Sequence, residues 1–185
     1  KEGELADWEV VSKAAIEFIE ALKELAEFAD PSAKLKVTLQ NSEEGSLRFN
    51  ALLEFFGGSG DPGVSEQKRR ERRVALKGIL YAAGTWLLLE TGAHYYDKLL
   101  AELDDAVAAW MQEDPAVDPA SVEEAKQECR KLLEGATRNQ VGASHVRKFF
   151  VELKADENIT GVGVTPDHES LPEVIIPRSE FGDRS

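Results

Sequence analysis

Three residues whose side chains bind metal ions lie at helical spacing near the middle of the sequence. Glu90, His94 and Asp97 occupy positions i, i+4 and i+7, which a helix brings to one face. A neutral imidazole with two carboxylates suits a divalent cation. Metal sites in helical proteins usually take further ligands from a second helix; His145 or Glu128 could supply one, although no spacing indicates either. The three residues are therefore a candidate metal site, and the alternative is a surface histidine between helical acidic residues.

Cys129 is the only cysteine and the only candidate for thiol chemistry. It lies between Glu128 and Arg130 on a predicted helix, outside any nucleophile motif. Because neighbouring carboxylates raise the pKa of a thiol, they disfavour the reactive thiolate. We therefore expect Cys129 to be a partly buried structural residue. The sequence contains no P-loop or zinc spacing, so it predicts no cofactor and does not favour an enzyme.

A cluster of basic residues precedes a long apolar stretch. The basic residues are Lys68, Arg69, Arg70, Arg72 and Arg73. Positive charge is unfavourable at the start of a helix, so this cluster is a candidate surface for an acidic or phosphate-bearing partner. Basic charge beside apolar residues also resembles a membrane anchor, with segment 68–89 lying on or entering a bilayer. The charge-free run from Gly78 to Leu89 has only twelve residues, whereas a span needs about 20. A buried helix is the preferred interpretation, and membrane association is the second.

Two segments near the C-terminus carry a resemblance. Gly161-Val-Gly-Val lacks the third glycine and the following helix of a dinucleotide-binding loop, so it predicts a strand whose glycines permit close approach of another backbone. After an acidic turn comes Ile175-Ile-Pro-Arg-Ser-Glu-Phe181. Together with Glu44-Gly-Ser-Leu47, these segments are similar to uncharacterised bacterial proteins in which a GVGV-like strand precedes an IPRSEF-like tail. The resemblance covers about a third of the chain, implies a bacterial origin and brings no assigned activity.

Composition constrains the class of protein and of partner. The 185 residues are 42% hydrophobic and 31% charged, which suits a folded domain with a core. Acidic residues outnumber basic ones by 35 to 22, and the net charge of −13 repels nucleic acid and anionic lipid. The same charge is compatible with a basic partner or with a purely solubilising role. A single cysteine and the lack of an apolar signal segment favour a reducing, cytoplasmic location.

A long amphipathic helix is predicted near the N-terminus. Apolar residues recur at alternating steps of three and four from Trp8 to Ala29, and glutamates occupy the opposite side. Asp30-Pro31 ends this helix, because the residue before a proline is displaced from helical backbone angles. One face of the helix is therefore expected to cover a core.

An antiparallel hairpin is predicted next. Leu35, Val37 and Leu39 alternate with polar residues, and a second alternation follows a turn-like segment. The apolar residues of the second strand are Leu47, Phe49, Ala51, Leu53 and Phe55. Because two strands alone are marginal in water, the apolar face must cover something. We expect it to pack on the helical stripe that includes Trp8 and Phe18.

The remainder of the chain predicts helices and short strands within a single domain, 1–185. Residues 57–65 are rich in glycine, proline and serine and resemble a flexible, engineered linker between a helix–hairpin unit, 1–56, and a helical unit, 66–185.

Two later helices precede the tail. Ser121 and Glu124 form a capping box for a helix over 122–134. A helix over 144–155 is expected to bury Val146, Phe149, Phe150 and Leu153. The tail alternates again and ends on Phe181, which predicts a segment that docks on the body as a strand. The alternative is a short linear motif that a partner captures by strand addition. The order helix, hairpin, helices and strands predicts an α+β fold, with the first helix and hairpin packed on a mainly helical body.

The sequence as a whole favours a non-enzymatic interaction or regulatory module. The hairpin edge or an apolar helix would serve a protein partner or self-association. The second hypothesis is a membrane-associated protein that uses segment 68–89. The third is a metal-dependent enzyme built on Glu90, His94 and Asp97. Flotation with anionic liposomes and metal analysis of the purified chain distinguish these alternatives.

Overall fold

The computed structural model describes residues 6–29, 31, 34–39, 51–56, 104–105, 108, 119–163 and 175–184. Its elements in chain order are α1 (Trp8–Ala29), β1 (Lys34–Leu39), β2 (Ala51–Phe56), α2 (Pro119–Arg138), α3 (Ala143–Lys154), β3 (Gly161–Gly163), β4 (Ile175–Pro177), a 3-10 helix (Arg178–Glu180) and α4 (Phe181–Arg184). Long helices and two small antiparallel sheets make this an α+β protein, as the sequence predicts.

α1 begins at an aspartate cap and ends before a proline. The Asp7 carboxylate accepts a hydrogen bond from the Glu9 N–H over 2.7 Å, which satisfies one of the donors that a helix leaves open at its start. α1 ends at Ala29, ahead of Pro31, so the predicted termination is confirmed. Its buried residues lie on one face: Val11, Ala14, Ala21, Leu22, Leu25 and Ala26.

The surface that covers α1 differs from the prediction. Phe18 packs on Phe149 of α3, with ring centroids 5.7 Å apart. The side chain of Trp8 is 55% exposed, so its predicted burial is wrong. Ala26 lies at the same angle around α1 as Trp8 and is buried, so the exposure of Trp8 follows from its position as the first residue of the helix. The hairpin contributes Leu35 to the margin of the core. The aromatic face of α3 therefore covers part of the apolar stripe of α1, which the hairpin was predicted to cover.

β1 and β2 pair antiparallel in the predicted alternation. The cross-strand partners include Leu35 with Phe55, Val37 with Leu53 and Leu39 with Ala51. Because directly opposed residues share one face of a sheet, this register places Leu35, Val37 and Leu39 on the same face as Phe55, Leu53 and Ala51. Leu52 and Phe56 lie on the other face, opposite Thr38 and Lys34. Lys34 and Lys36 have exposed side chains. Leu47 and Phe49 lie outside the described residues.

α2 begins earlier than predicted, and α3 lies where it was predicted. The first residue of α2 is Pro119, so Ser121 lies inside the first turn and is not the cap. Proline suits the first helical position because its φ is already helical and it has no N–H to leave unpaired. α3 spans Ala143–Lys154 and buries Val146, Phe149, Phe150 and Leu153, which confirms that prediction.

β3 and β4 form a sheet of their own. Gly161 lies opposite Pro177 and Val162 opposite Ile176. A Cβ at position 161 would lie 2.9 Å from Cγ2 of Ile175 and 3.0 Å from the Ile176 carbonyl oxygen. The close approach therefore requires glycine at Gly161, as the sequence predicts.

One buried cluster joins the two ends of the described chain. It contains residues of α1, α2, α3, β4 and α4. Its largest fully buried side chains are Phe150, Phe181, Leu25, Leu133 and Cys129. The N-terminal helix and the C-terminal tail are thus parts of the same core.

Candidate functional site

The candidate metal ligands and the candidate basic surface both lie outside the described part of the chain. They are Glu90, His94 and Asp97, and Lys68, Arg69, Arg70, Arg72 and Arg73. Segment 74–89 and the linker 57–65 lie outside it as well. Within the described ranges, no group of three or more His, Cys, Asp or Glu side chains could hold a metal ion. The helices that the structure describes include none that is both long enough and apolar enough to cross a membrane.

Cys129 is fully buried in α2. Burial, and then the carboxylates of Glu128 and Asp104, raises the pKa of its thiol to about 12. Asp104 also accepts a hydrogen bond from Nε of Arg130 over 3.2 Å, which joins residue 104 to α2. A thiol with so high a pKa stays protonated near neutral pH and is a poor nucleophile. The predicted direction of the pKa shift is confirmed.

His145 of α3 lies between two carboxylates of α1. Its Nδ1 is 2.6 Å from Oε2 of Glu17, and its Nε2 is 3.4 Å from Oε1 of Glu24. The other oxygen of Glu24 accepts a hydrogen bond from the Gly142 N–H over 2.8 Å. Gly142 has a φ of 76°, and a Cβ there would lie 3.2 Å from the Ala21 carbonyl oxygen, so glycine suits this turn. These contacts join the start of α3 to α1.

Asp156, just after α3, joins two other segments to that helix. Its Oδ2 accepts a hydrogen bond from the backbone N–H of Asp7, and its Oδ1 accepts one from the N–H of Asn158 over 2.9 Å. The bond from Asp7, then that from Asn158, and the nearby Arg178 guanidinium hold the pKa of the Asp156 carboxyl below its usual value. Asp156 is therefore an ionised acceptor that ties the start of α1 to the end of α3.

Arg178 covers the C-terminal end of α3. Its Nη2 donates to the Lys154 carbonyl over 2.9 Å, and its Nη1 donates to the carbonyls of Asp156 and, over 3.3 Å, Ile159. Its backbone N–H donates to the Thr160 carbonyl over 2.9 Å. The last carbonyls of a helix have no partner within the helix and carry partial negative charge, so a cation is favourable there. The arginine of the IPRSEF segment thus fixes the tail to the body.

The β1–β2 hairpin presents a surface of a different kind. Six residue pairs connect its strands, and the register places Lys36 opposite Glu54. Among the described strands, β1 pairs with β2 alone. An outer edge of this type carries backbone donors and acceptors that can pair with an added strand. It is the described feature that most resembles a protein-binding surface.

Comparisons of the chain with protein-family models, with curated protein sequences and with solved structures found no match.

Sequence reasoning considered His145 only as a possible metal ligand, placed Arg178 in a docking tail without a partner residue, and did not select Asp156. The tail that contains Arg178 was noticed, but its cation was not assigned to the end of α3. Arg178 lies 24 residues beyond Lys154, so no basic residue close to the helix end signals this contact. His145 and Asp156 have no such signal either, because their partners Glu17 and Asp7 are more than 100 residues away in the chain.

Proposed function

We propose that the protein is a non-enzymatic interaction module that binds an extended, acidic segment of a partner protein along the outer edge of β1. The observation that carries the proposal is a six-residue strand, Lys34–Leu39, which pairs with β2 and with no other described strand. Main-chain groups of such an edge bind an added strand, and the side chains beside it select the partner.

The charge of β1 determines the chemistry of the proposed partner. The strand contains two lysines and no acidic residue, in a chain whose net charge is −13. Lys34 and Lys36 are exposed, whereas Leu35 between them packs on the core and holds the strand in place. Pairing of this edge with a second copy would bring like charges together, since lysines on an edge strand oppose self-pairing. An acidic strand would meet the exposed Lys34 favourably.

The chemistry of the described residues also supports a non-enzymatic role. Cys129 is buried with a raised pKa, and the Asp156 carboxylate accepts two backbone hydrogen bonds. Both groups therefore serve the fold. We place the interaction in the cytoplasm, where a protein with one thiol remains reduced.

Two short synthetic peptides test the proposal, one alternating threonine with glutamate and the other alternating threonine with lysine. We expect the glutamate peptide to bind the full chain in fluorescence anisotropy and to slow amide hydrogen exchange in residues 34–39. Its affinity should fall as salt is added, because the lysine contacts are screened. Failure of the glutamate peptide to protect these amides contradicts the proposal, as does equal protection by the lysine peptide.

A charge reversal provides the matched control. Lys34→Glu should weaken binding of the glutamate peptide by roughly threefold or more, because an attractive charge at the edge becomes repulsive. Lys13→Glu makes the same change on α1, where Lys13 contacts Glu9 over 2.7 Å, and should leave the affinity unchanged. A concentration-dependent dimer that protects residues 34–39 would assign the edge to a second copy of the chain and overturn the acidic partner.

A further inference from the structure

The C-terminal tail, residues 175–184, is held to the rest of the fold by three contacts of different kinds. Ile176 pairs with β3 through the backbone, and its side chain is buried in the core. The guanidinium of Arg178 donates to carbonyl groups at the end of α3. Phe181 is fully buried, and its ring packs on that of Phe150. Proteins that bind extended peptides use the same contacts: backbone pairing for affinity, and side-chain anchors for specificity.

The surface that receives the tail is formed by one continuous stretch of the chain, which we call the tail socket. Its partner groups are the ring of Phe150, the carbonyls of Lys154, Asp156, Ile159 and Thr160, and the backbone of β3. All of these groups lie within residues 150–163, ahead of the connection to the tail. The socket is therefore built by α3, by β3 and by the residues between them.

The connection between the socket and the tail is longer than pairing of the two strands requires. Eleven residues, 164–174, separate β3 from β4, whereas hairpin strands are usually joined by roughly two to five. Gly163 and Ile175, which flank the connection, are directly opposed in the register. Fully extended, eleven residues reach about 36 Å, and a small domain is about 30 Å across. The connection is thus long enough for the tail to reach the socket of a neighbouring molecule.

The spacing of the anchors defines which segment fits the socket. An aliphatic residue, Ile176, is followed two positions later by Arg178 and three positions after that by Phe181. The planar guanidinium can donate to several carbonyls at once, which an ammonium group does less well. A second copy of this chain carries the same spacing and is therefore the partner that the socket fits.

We propose that the tail is exchangeable, so that the socket of one molecule binds residues 175–184 of a second copy through the contacts it makes with its own tail. Because these contacts are the same in the closed and the exchanged forms, the two forms differ in the closure of the connection and in the entropy of association. A short connection keeps the tail near its own socket at a roughly millimolar effective concentration. The closed form therefore dominates at micromolar concentration, and exchange dominates where closure is prevented or the molecule's own tail is weakened.

Deletion of residues 165–174 from the chain tests the exchange. Only Val164 then joins Gly163 to Ile175, and because the shortest common hairpin loop has about two residues, the tail cannot pair with its own β3. A connection too short to close favours exchange between molecules. In size-exclusion chromatography with light scattering, we expect the shortened chain to have about twice the mass of the wild type at micromolar concentration.

Two controls accompany the deletion. Replacement of the same ten residues by glycine and serine keeps the length of the connection and should leave the mass as in the wild type. Phe181→Ala in the shortened chain removes the aromatic anchor and should abolish the doubled mass. A shortened chain with the mass of the wild type overturns the exchange, and so does a doubled mass that persists with Phe181→Ala.

A mixture of two variants of full length provides a second test if the shortened chain does not fold. Phe181→Ala keeps the socket but weakens the tail, whereas Gly161→Ala keeps the tail but displaces β3 from β4. After joint refolding from urea, exchange gives a mixed dimer with one intact tail in one intact socket. In native mass spectrometry we expect this mixed dimer to exceed either homodimer about tenfold or more, because only it avoids the emptied aromatic site. Absence of the mixed dimer, or equal amounts of the three dimers, overturns the exchange. Residues 34–39 take no part in these contacts, so this proposal and that for the edge of β1 can fail independently.

Discussion

The ring of Phe181 packs against the ring of Phe150, with centroids 5.5 Å apart and both side chains fully buried. Phe181 begins α4, directly after the 3-10 helix that carries Arg178. The tail thus fills the core with one residue and covers the end of α3 with another. Its predicted docking as a strand with a buried Phe181 is confirmed.

We predict that Phe181→Ala lowers the free energy of unfolding by about 3–5 kcal/mol, because it leaves a cavity at a site that Phe150 and its neighbours cannot close. Urea unfolding measures this change. Ile175→Ala is the control on the same segment: its side chain is 60% exposed, so the loss should stay below about 1 kcal/mol. Equal losses in the two variants would show that the tail is not anchored through Phe181.

A pair of glycines tests the close approach of β3 and β4. Gly161→Ala forces a Cβ to within 2.9 Å of the Ile175 side chain and 3.0 Å of a carbonyl oxygen, so the strands must shift. We expect a loss of about 1–3 kcal/mol in the free energy of unfolding. Gly182→Ala, whose Cβ would have Lys154 Nζ at 3.9 Å as its nearest contact, should be neutral or slightly stabilising. If Gly182→Ala melts at a lower temperature than Gly161→Ala, the result contradicts the register of β3 and β4.

We predict that the contribution of Asp156 to the stability of the fold is lost at acid pH. Its folded-state pKa is lowered by the hydrogen bonds from Asp7 and Asn158. The carboxylate therefore stabilises the protein above its unfolded pKa of about 3.9, and this contribution is lost as the pH falls through the folded value. We expect Asp156→Asn to melt below the wild type at pH 7 and to converge with it below about pH 4. Asp183→Asn, an exposed control, should follow the wild type at both pH values. A gap that stays constant down to low pH would contradict the assignment.

The burial of Cys129 predicts that the stability of the fold decreases as the pH rises in the alkaline range. Burial raises the pKa of its thiol to about 12, so the unfolded chain loses this proton at a lower pH than the folded chain does. Stability should therefore fall as the pH rises above about 8.5, the usual thiol value, and Cys129→Ala should show a flatter decline. At pH 8 the native thiol should resist Ellman's reagent and react once urea unfolds the chain. Rapid reaction of the native protein would be incompatible with the buried environment.

The sequence by itself determined the elements whose signal is periodic. The helical stripe of α1, the four buried residues of α3 and the alternation of the hairpin all follow from how side chains repeat along a regular backbone, which needs no knowledge of the partner surface. The role of Gly161 was also predicted from the sequence, because glycines within a strand indicate the close approach of another backbone. Trp8 and the start of α2 were misjudged, because a terminal residue of a helix is buried or capped according to what lies beside it.

Only the tertiary structure decided which polar groups meet. Asp7 and Asp156 are 149 residues apart in the chain, and Glu17 and His145 are 128 apart. No local pattern relates such residues, because they meet only after α1 and α3 have packed. The apolar faces that form this contact do not specify which polar residues become neighbours. The same packing brings Arg178 to the carbonyls at the end of α3. Local periodicity specifies which face of each element is apolar, whereas long-range packing determines which charges on the margins of those faces become neighbours.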